Sequence, residues 1–338
     1  MSFAGLVGQH EFKTRVAQMI EGNLPQSFLI TGADGIGKHV FARELAKTLI
    51  CEHPTKEGSC GVCTCCKYFE AGTHPDFKLI EADEGRKNIR IADLRSSISS
   101  DIMINPQIAA RKVYLINAQQ LGNDSQNLLL KSLEEPPKGV AFILICSDSS
   151  RIIPTIMSRI TELKLRSYTG DEIKTIVTSV DGGKELPQEK LDFIAGFSSG
   201  IPGRAITLIT DEEFAESRDK VFDLVIRMPE LTLTDILVDE FQYWDKNHGK
   251  IDELLLLLLW TLGDLSLLLA TVDRSGIKNK DKEEVLIKFL KSHPGITLVN
   301  ISAAAEAVTE FAKGLKVNVN FEAACCSMFL KIYKELAQ

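Results

Sequence analysis

The sequence predicts an α/β domain, a parallel sheet flanked by helices, followed by a small helical region and an all-helical C-terminal region. Three observations carry that expectation. Up to about residue 165, short apolar runs rich in β-branched and aromatic residues alternate with helical patterns, as in a sheet covered on both faces. From about 166 to 212 the pattern is helical, with Gly and Pro punctuation. From about 213 to 338 it stays helical, broken only by turn signals at Met228-Pro229, Asn247-His248-Gly249, Ser275-Gly276 and His293-Pro294-Gly295.

Taken in order, the candidate strands are 28–31, 77–81, 113–117 and 142–146, largely apolar runs such as strands covered on both faces carry. Helical periodicity falls between them at 38–49, 91–100 and 125–133. In the small helical region, Gly170-Asp171-Glu172 reads as a helix start, and Pro202 fits the first turn of another helix. The stretch DELLLLLLWTLGDLSLLLA at 252–270 invites a membrane reading. Its unbroken run at 254–262 covers less than half of the ~20 residues a spanning helix needs, and Asp264 and Ser266 interrupt the rest. A helix buried among other helices is expected there. The opening MSFAGLVGQHEFK lacks the charged start, apolar run and cleavage site of a signal peptide, so a cytoplasmic location without membrane partners is expected. The formal charge of -7 argues against a dedicated nucleic-acid binder, and Arg86, Lys87 and Arg90 read as a solvated face, with contact to phosphates as the alternative.

The first chemical signal is GADGIGKH at 32–39, directly after the strand FLIT. Gly32, Gly35 and Gly37 let backbone N–H groups converge on a phosphate, the following helix adds its positive end, and Lys38 adds a point charge. A hydroxyl residue should follow Lys38 as a magnesium ligand, but His39 stands there, and an imidazole suits softer metals. A hydrolysing enzyme of this type also needs Asp then Glu at the end of a neighbouring strand. KVYLINAQQL ends instead in Asn117 and Ala118. Two independent defects predict a loop that holds ATP or ADP, or stays empty, but does not cut the nucleotide.

The second signal is LICEHPTKEGSCGVCTCC, which contains five of the chain's eight cysteines. Cys51, Cys60, Cys63 and Cys66 are spaced C-x8-C-x2-C-x2-C, the ligand set of a closed tetrahedral Zn²⁺ site with a structural role. Disulfides are the alternative, which a cytosolic chain rarely keeps. Cys65 is a spare. Cys146, Cys325 and Cys326 fall in apolar or helical patterns and read as core residues.

Together with LVGQ at 6–9, AGTHPDF after the cysteines, NLLLKSLEEPP at 127–137, IMSRI at 156–160 and GIPGRA at 200–205, these motifs resemble the AAA+ subunits of the bacterial clamp loader, over nearly the whole chain. The resemblance implies an AAA+ P-loop domain over 1–165 with an inserted zinc module at about 51–66, a helical lid over 166–212, and a C-terminal collar for oligomerisation over 213–338. It implies a component of the DNA polymerase III holoenzyme, which opens the sliding clamp and closes it on primed DNA with ATP hydrolysed on gamma or tau subunits. The departures at His39, Asn117 and Ala118 match the subunit type that hydrolyses nothing itself. Partners implied are the gamma/tau and delta subunits and, through the complex, the clamp and primed DNA.

The resemblance also assigns roles to single residues. Ser158 and Arg159 occupy its SRC-type motif, whose arginine points into a neighbour's ATP site and there acts as an arginine finger; an ordinary surface ion pair is the alternative. Arg204 matches the sensor-2 arginine and Ser147 the sensor-1 place, each with a purely structural role as the other option. Two rival functions remain. One is an active gamma/tau-like ATPase in which Glu134 or Glu135 replaces the lost carboxylate, although both lie in LEEPP and not at a strand end. The other is a zinc-stabilised DNA-binding protein.

Overall fold

The computed structural model describes residues 2–83, 85–315, 317 and 319–337. Its elements, in chain order, are α1 (His10–Glu21), β1 (Ser27–Thr31), α2 (Lys38–Ile50), α3 (Thr64–Glu70), β2 (Phe77–Ile80), α4 (Ile91–Ile98), β3 (Lys112–Asn117), α5 (Asn123–Glu134), β4 (Val140–Cys146), α6 (Pro154–Met157), β5 (Thr161–Lys164), α7 (Gly170–Ser179), α8 (Gln188–Phe197), α9 (Pro202–Thr210), α10 (Glu212–Arg227), α11 (Phe241–Lys246), α12 (Ile251–Ala270), α13 (Glu283–Ser292), α14 (Leu298–Leu315) and α15 (Phe321–Leu336). They form two compact units, residues 1–180 with 198–206, and residues 181–197 with 207–338, the division falling inside α9.

The first unit is built on a parallel sheet ordered β2-β3-β4-β1-β5. Register follows apolarity: Leu29 pairs with Leu144, and Leu115 with Ile143, so the three central strands stack their largest side chains in rows. Every residue of β1 and β4 is buried, whereas the edge strands β2 and β5 are only partly so. One face carries a core in which Tyr114 stacks on Phe142, with ring centroids 5.3 Å apart, beside Leu94, Leu129 and Ile156. On α2, Phe41 packs edge-on against Phe12 at 5.0 Å. Each such apolar side chain stabilises the fold by roughly 1.5–3 kcal/mol relative to exposure. The sequence-expected strands and helices of this unit are present, with ends shifted by one or two residues, and β5 is an addition. The helix start at 170 is an N-terminal capping box: Thr169 caps α7 and the Glu172 carboxylate returns to the Thr169 N–H at 2.8 Å.

The second unit is helical. Phe193, Phe197, Phe214 and Trp260 form an aromatic cluster with centroids 4.9 to 6.1 Å apart. Arg218 lies 3.8 Å over Phe193 while its guanidinium pairs with Asp281. Helix α12 is, by length and composition, long enough to cross a membrane, more so than its nine-residue run suggests. Here it packs against α10 and α14, with Leu254, Leu258, Leu262 and Leu265 wholly buried. Asp264, which interrupts its apolarity, is also buried. Its carboxylate accepts from the N–H groups of Lys278 and Asn279 at 2.7 and 2.9 Å and from the Asn279 amide at 2.8 Å. Burial pushes its pKa up, although these donors oppose that.

Candidate nucleotide-loop site and cysteine cluster

The phosphate loop leaves β1 and enters α2 by a chain of left-handed turns. Gly35 and Gly37 have φ of 77° and 102°, values that a side chain resists, and Gly37 forms the N-cap of α2. Lys38 is nearly buried, and its ammonium group is folded onto the loop itself. It donates to the carbonyls of Gly32 and Ala33 at 2.8 and 3.0 Å and pairs with Asp34 at 3.0 Å. To meet a phosphate, Lys38 has to exchange these three oxygens for the anion's.

Beside the loop lies a cleft of about 670 Å³ at the carboxyl ends of β1, β3 and β4, lined by Lys38, His39, Lys87, Asn117, Gln119, Gln120 and Arg151 among others. Among the described residues the one carboxylate in its lining is Asp34, already paired with Lys38. His39 stands where the hydroxyl ligand belongs; its Nδ1 lies 3.6 Å from Glu81, which follows β2, one strand beyond Asn117 in the sheet. Ala118 is buried and offers no functional group. The two residues after it act as cross-links. Gln119 accepts from the Ser147 hydroxyl at 2.7 Å, and Gln120 accepts from the Ala82 N–H at 2.9 Å, so the ends of β2, β3 and β4 are tied together by amides. Ser147 thus spends its hydroxyl on Gln119 and lines a second recess, of about 610 Å³, on the other side of the loop.

On its outer side the loop is braced by the segment that starts α9. The Gly203 N–H donates to the Gly35 carbonyl at 2.9 Å, and Arg204 follows directly in the first turn. A Cβ on Gly203 would come within 2.9 Å of the Gly35 Cα, so the approach requires glycine.

Ser158 and Arg159 lie apart from this cleft, between α6 and β5. Arg159 donates through Nη1 to the Thr155 carbonyl at 2.8 Å and the Ser158 hydroxyl at 2.9 Å, and its Nη2 lies 2.9 Å from Glu134 at the end of α5. Glu134 is therefore engaged with Arg159, away from the residues that line the cleft. Lys87, expected on a solvated face, is exposed yet lines the cleft, and Arg151 joins it. Neither lies in a sequence motif; only the sheet order brings them together.

At the far end of α2, the sulfurs of Cys51, Cys60, Cys63 and Cys66 all lie within 4.8 Å of one another. Two of the separations, 3.9 and 4.0 Å, are close to the roughly 3.8 Å that a tetrahedral zinc–thiolate shell requires. Backbone N–H groups point at three of the sulfurs, from Cys60 to Cys51, Cys63 to Cys60 and Cys66 to Cys63, at 3.3 to 3.4 Å. The N–H groups of Val62 and Cys63 lower the Cys60 thiol to about 6, which favours the thiolate. Cys65 turns away to the Ile108 carbonyl, and burial first, then Glu52, raises it to about 11. The donor set, the spacing and the N–H groups fit a closed metal shell.

A parallel sheet with a glycine-rich loop between its first strand and the next helix is the architecture of a P-loop domain. Comparison with known proteins narrows the class. Residues 8–169 match the family model described as DNA polymerase III, delta subunit. The DNA polymerase III subunit delta' of Pseudomonas aeruginosa is 39% identical over 134 residues, 39% of this chain and 40% of that protein. The subunit tau of Escherichia coli is 32% identical over 224 residues, 65% of this chain and 34% of that protein. The chain thus spans about two-fifths and one-third of these relatives' own lengths. A solved gamma subunit-related protein of Thermotoga maritima aligns over 96% of this chain and 99% of its own, at 16% identity and a TM-score of 0.36, too low to bear on the reading. Over these parts of its length the chain is similar to DNA polymerase III subunits named delta' and tau.

Proposed function

We propose that this chain is the delta' kind of subunit, a non-hydrolysing AAA+ member of the clamp loader that helps place the sliding clamp on primed DNA in the cytoplasm. The observation that carries the reading is the cleft beside the phosphate loop. It has His39 in place of a hydroxyl, Asn117 and Ala118 in place of two carboxylates, and lining cations in place of a magnesium cage. Gly32, Gly35, Gly37 and Lys38 can cradle a phosphate of ATP or ADP, with Arg204 in the bracing segment, but among the described residues no lining side chain is set to activate water. The lid over 166–212 and the collar over 213–338 belong to the same reading, the collar joining gamma/tau and delta subunits.

The chain's catalytic contribution on this reading is Arg159, supplied with Ser158 to the ATP site of a neighbouring subunit. A guanidinium next to the γ-phosphate stabilises the charge that develops there, worth roughly 10³ to 10⁵ in rate for arginine fingers in general. Engagement of Glu134 with Arg159 also weighs against Glu134 as a substitute base in an active ATPase. The four cysteines hold one structural Zn²⁺, which leaves no open position for water. In a reconstituted loader, Arg159→Ala is expected to lower clamp- and DNA-stimulated ATP hydrolysis tenfold or more while assembly stays intact. Unchanged hydrolysis would overturn the role. ATP turnover by the purified chain alone, lost in Lys38→Ala, would overturn the non-hydrolysing reading.

A further inference from the structure

We infer that Glu134 is a positioning residue for Arg159, fixing the guanidinium in the orientation in which it meets the neighbour's ATP. The inference rests on the trans role of Arg159 proposed above and assigns a task to the conspicuous acidic pair of LEEPP.

Arg159 sits just past α6, a helix of only four residues, so its own element gives it little support. Two local acceptors, the Thr155 carbonyl and the Ser158 hydroxyl, hold Nη1. Both belong to the same turn as Arg159 and cannot by themselves set where that turn aims the charge. Glu134 can, because it comes from the end of α5, which packs on α6 and buries Leu129 and Leu133 in the sheet's core. The 2.9 Å contact to Nη2 therefore ties the guanidinium to the rigid part of the domain.

The pair leaves the charge usable. The Arg159 side chain is 38% exposed, and its ε nitrogen has no partner among the described residues. Thr155 and Ser158 hold Nη1 and Glu134 holds Nη2, while the partly exposed side chain leaves Nε for a further acceptor. A finger acts through geometry, and a misplacement of about 1 Å can cost on the order of 10²-fold in rate. A flexible side chain restrained on three points loses less freedom on meeting its target than an unrestrained one. Glu134 is far from Arg159 in sequence and is not among the described residues that line the cleft, which leaves positioning as the task the geometry supports.

The test is a double-mutant cycle in the reconstituted loader, reading ATP hydrolysis stimulated by clamp and primed DNA. Glu134→Ala is expected to lower kcat several-fold, less than Arg159→Ala does, with KM for ATP unchanged. Glu134→Gln, which keeps an acceptor but not the charge, falls between, and it serves as the readout should the alanine variant assemble poorly. In the Arg159→Ala background, Glu134→Ala is expected to have no further effect; a merely structural role would add its loss there too. Loss in Arg159→Ala with none in Glu134→Ala and Glu134→Gln overturns this inference alone. So does a raised kcat in Glu134→Ala, which would make the pair a restraint that hides the finger. No loss in Arg159→Ala overturns the trans role itself, and the positioning inference with it.

Discussion

Helix α2 carries a binding loop at each end, and the two have been kept to different degrees. At its N-terminus stands the phosphate loop 32–37; at its C-terminus Cys51, the C-cap residue, opens the cysteine cluster. The phosphate loop has the glycine turns that the backbone supplies, but His39, Asn117 and Ala118 stand where the proposed reading would need a hydroxyl and two carboxylates for hydrolysis. The cysteine cluster is made of side chains and keeps all four. Backbone geometry survives most substitutions, so a phosphate loop can outlive its chemistry. A thiolate shell stays only where every ligand is retained, because three thiolates no longer close the tetrahedron.

The comparison is broken most severely at the cysteine end. Cys63→Ser is expected to reduce bound zinc from about one ion per chain to near zero by metal analysis, and to expose 51–66 to proteolysis. Apparent zinc affinities in small zinc modules correspond to ~10–16 kcal/mol, so the effect on this segment should be large. Full zinc content in the variant would show that the four sulfurs do not act as one shell. At the phosphate end, Gly203→Ala drives a Cβ into the Gly35 backbone and should cost about 1–3 kcal/mol, read as a lower denaturant midpoint with an unchanged m-value. An unaltered midpoint would mean that the brace can move aside freely.

A pH scan sharpens the contrast between buried side-chain sites and the open loop. Asp76 is wholly buried after β2's preceding turn, and its carboxylate accepts from the N–H groups of Gln107, Ile108 and Ala109 at 2.7 to 2.9 Å. Burial works against its charge, but the three N–H groups prevail and hold it below the usual carboxylate value. With the folded value below the unfolded one, its contribution is full above about pH 4, the ordinary Asp value, and is lost as pH falls through the folded one. Thermal unfolding should show that acid-side loss, and Asp76→Asn should flatten it while lowering stability at neutral pH. The smallest effect is expected at the loop's own defect. His39→Ser restores the missing hydroxyl but leaves Asn117 and Ala118, so steady-state ATP turnover should stay at background. Turnover gained from that single change would show that the strand-end residues are dispensable.

Much of this was legible in the sequence because it is local. The three central strands announce themselves by long apolar runs, and the loop and cysteine spacings are short. What escaped is non-local or polar. Thr161–Lys164 forms β5 with three polar residues in four, since an edge strand buries little and its charges guard the sheet's open side. Lys87 and Arg151 meet only because β2, β3 and β4 are neighbours, an order that no window of sequence contains. The partnership of Glu134 with Arg159 joins two motifs that were each visible, but it is the packing of α5 on α6 that brings them within 2.9 Å.

The contact between Gly35 and Gly203 has a consequence for how the loop holds its shape. A phosphate loop is ordinarily ordered in part by the ligand it grips, and relaxes when the ligand leaves. Here a backbone hydrogen bond from a residue far along the chain supplies part of that order, and Lys38 sits on the loop carbonyls as a built-in counter-ion. The Gly203 brace is part of the folded chain and needs no ligand, whereas Lys38 must still trade its loop oxygens for those of a phosphate. On the non-hydrolysing reading proposed above, that ligand-independent brace is what would let the subunit stand as a fixed reference while its neighbours exchange nucleotide.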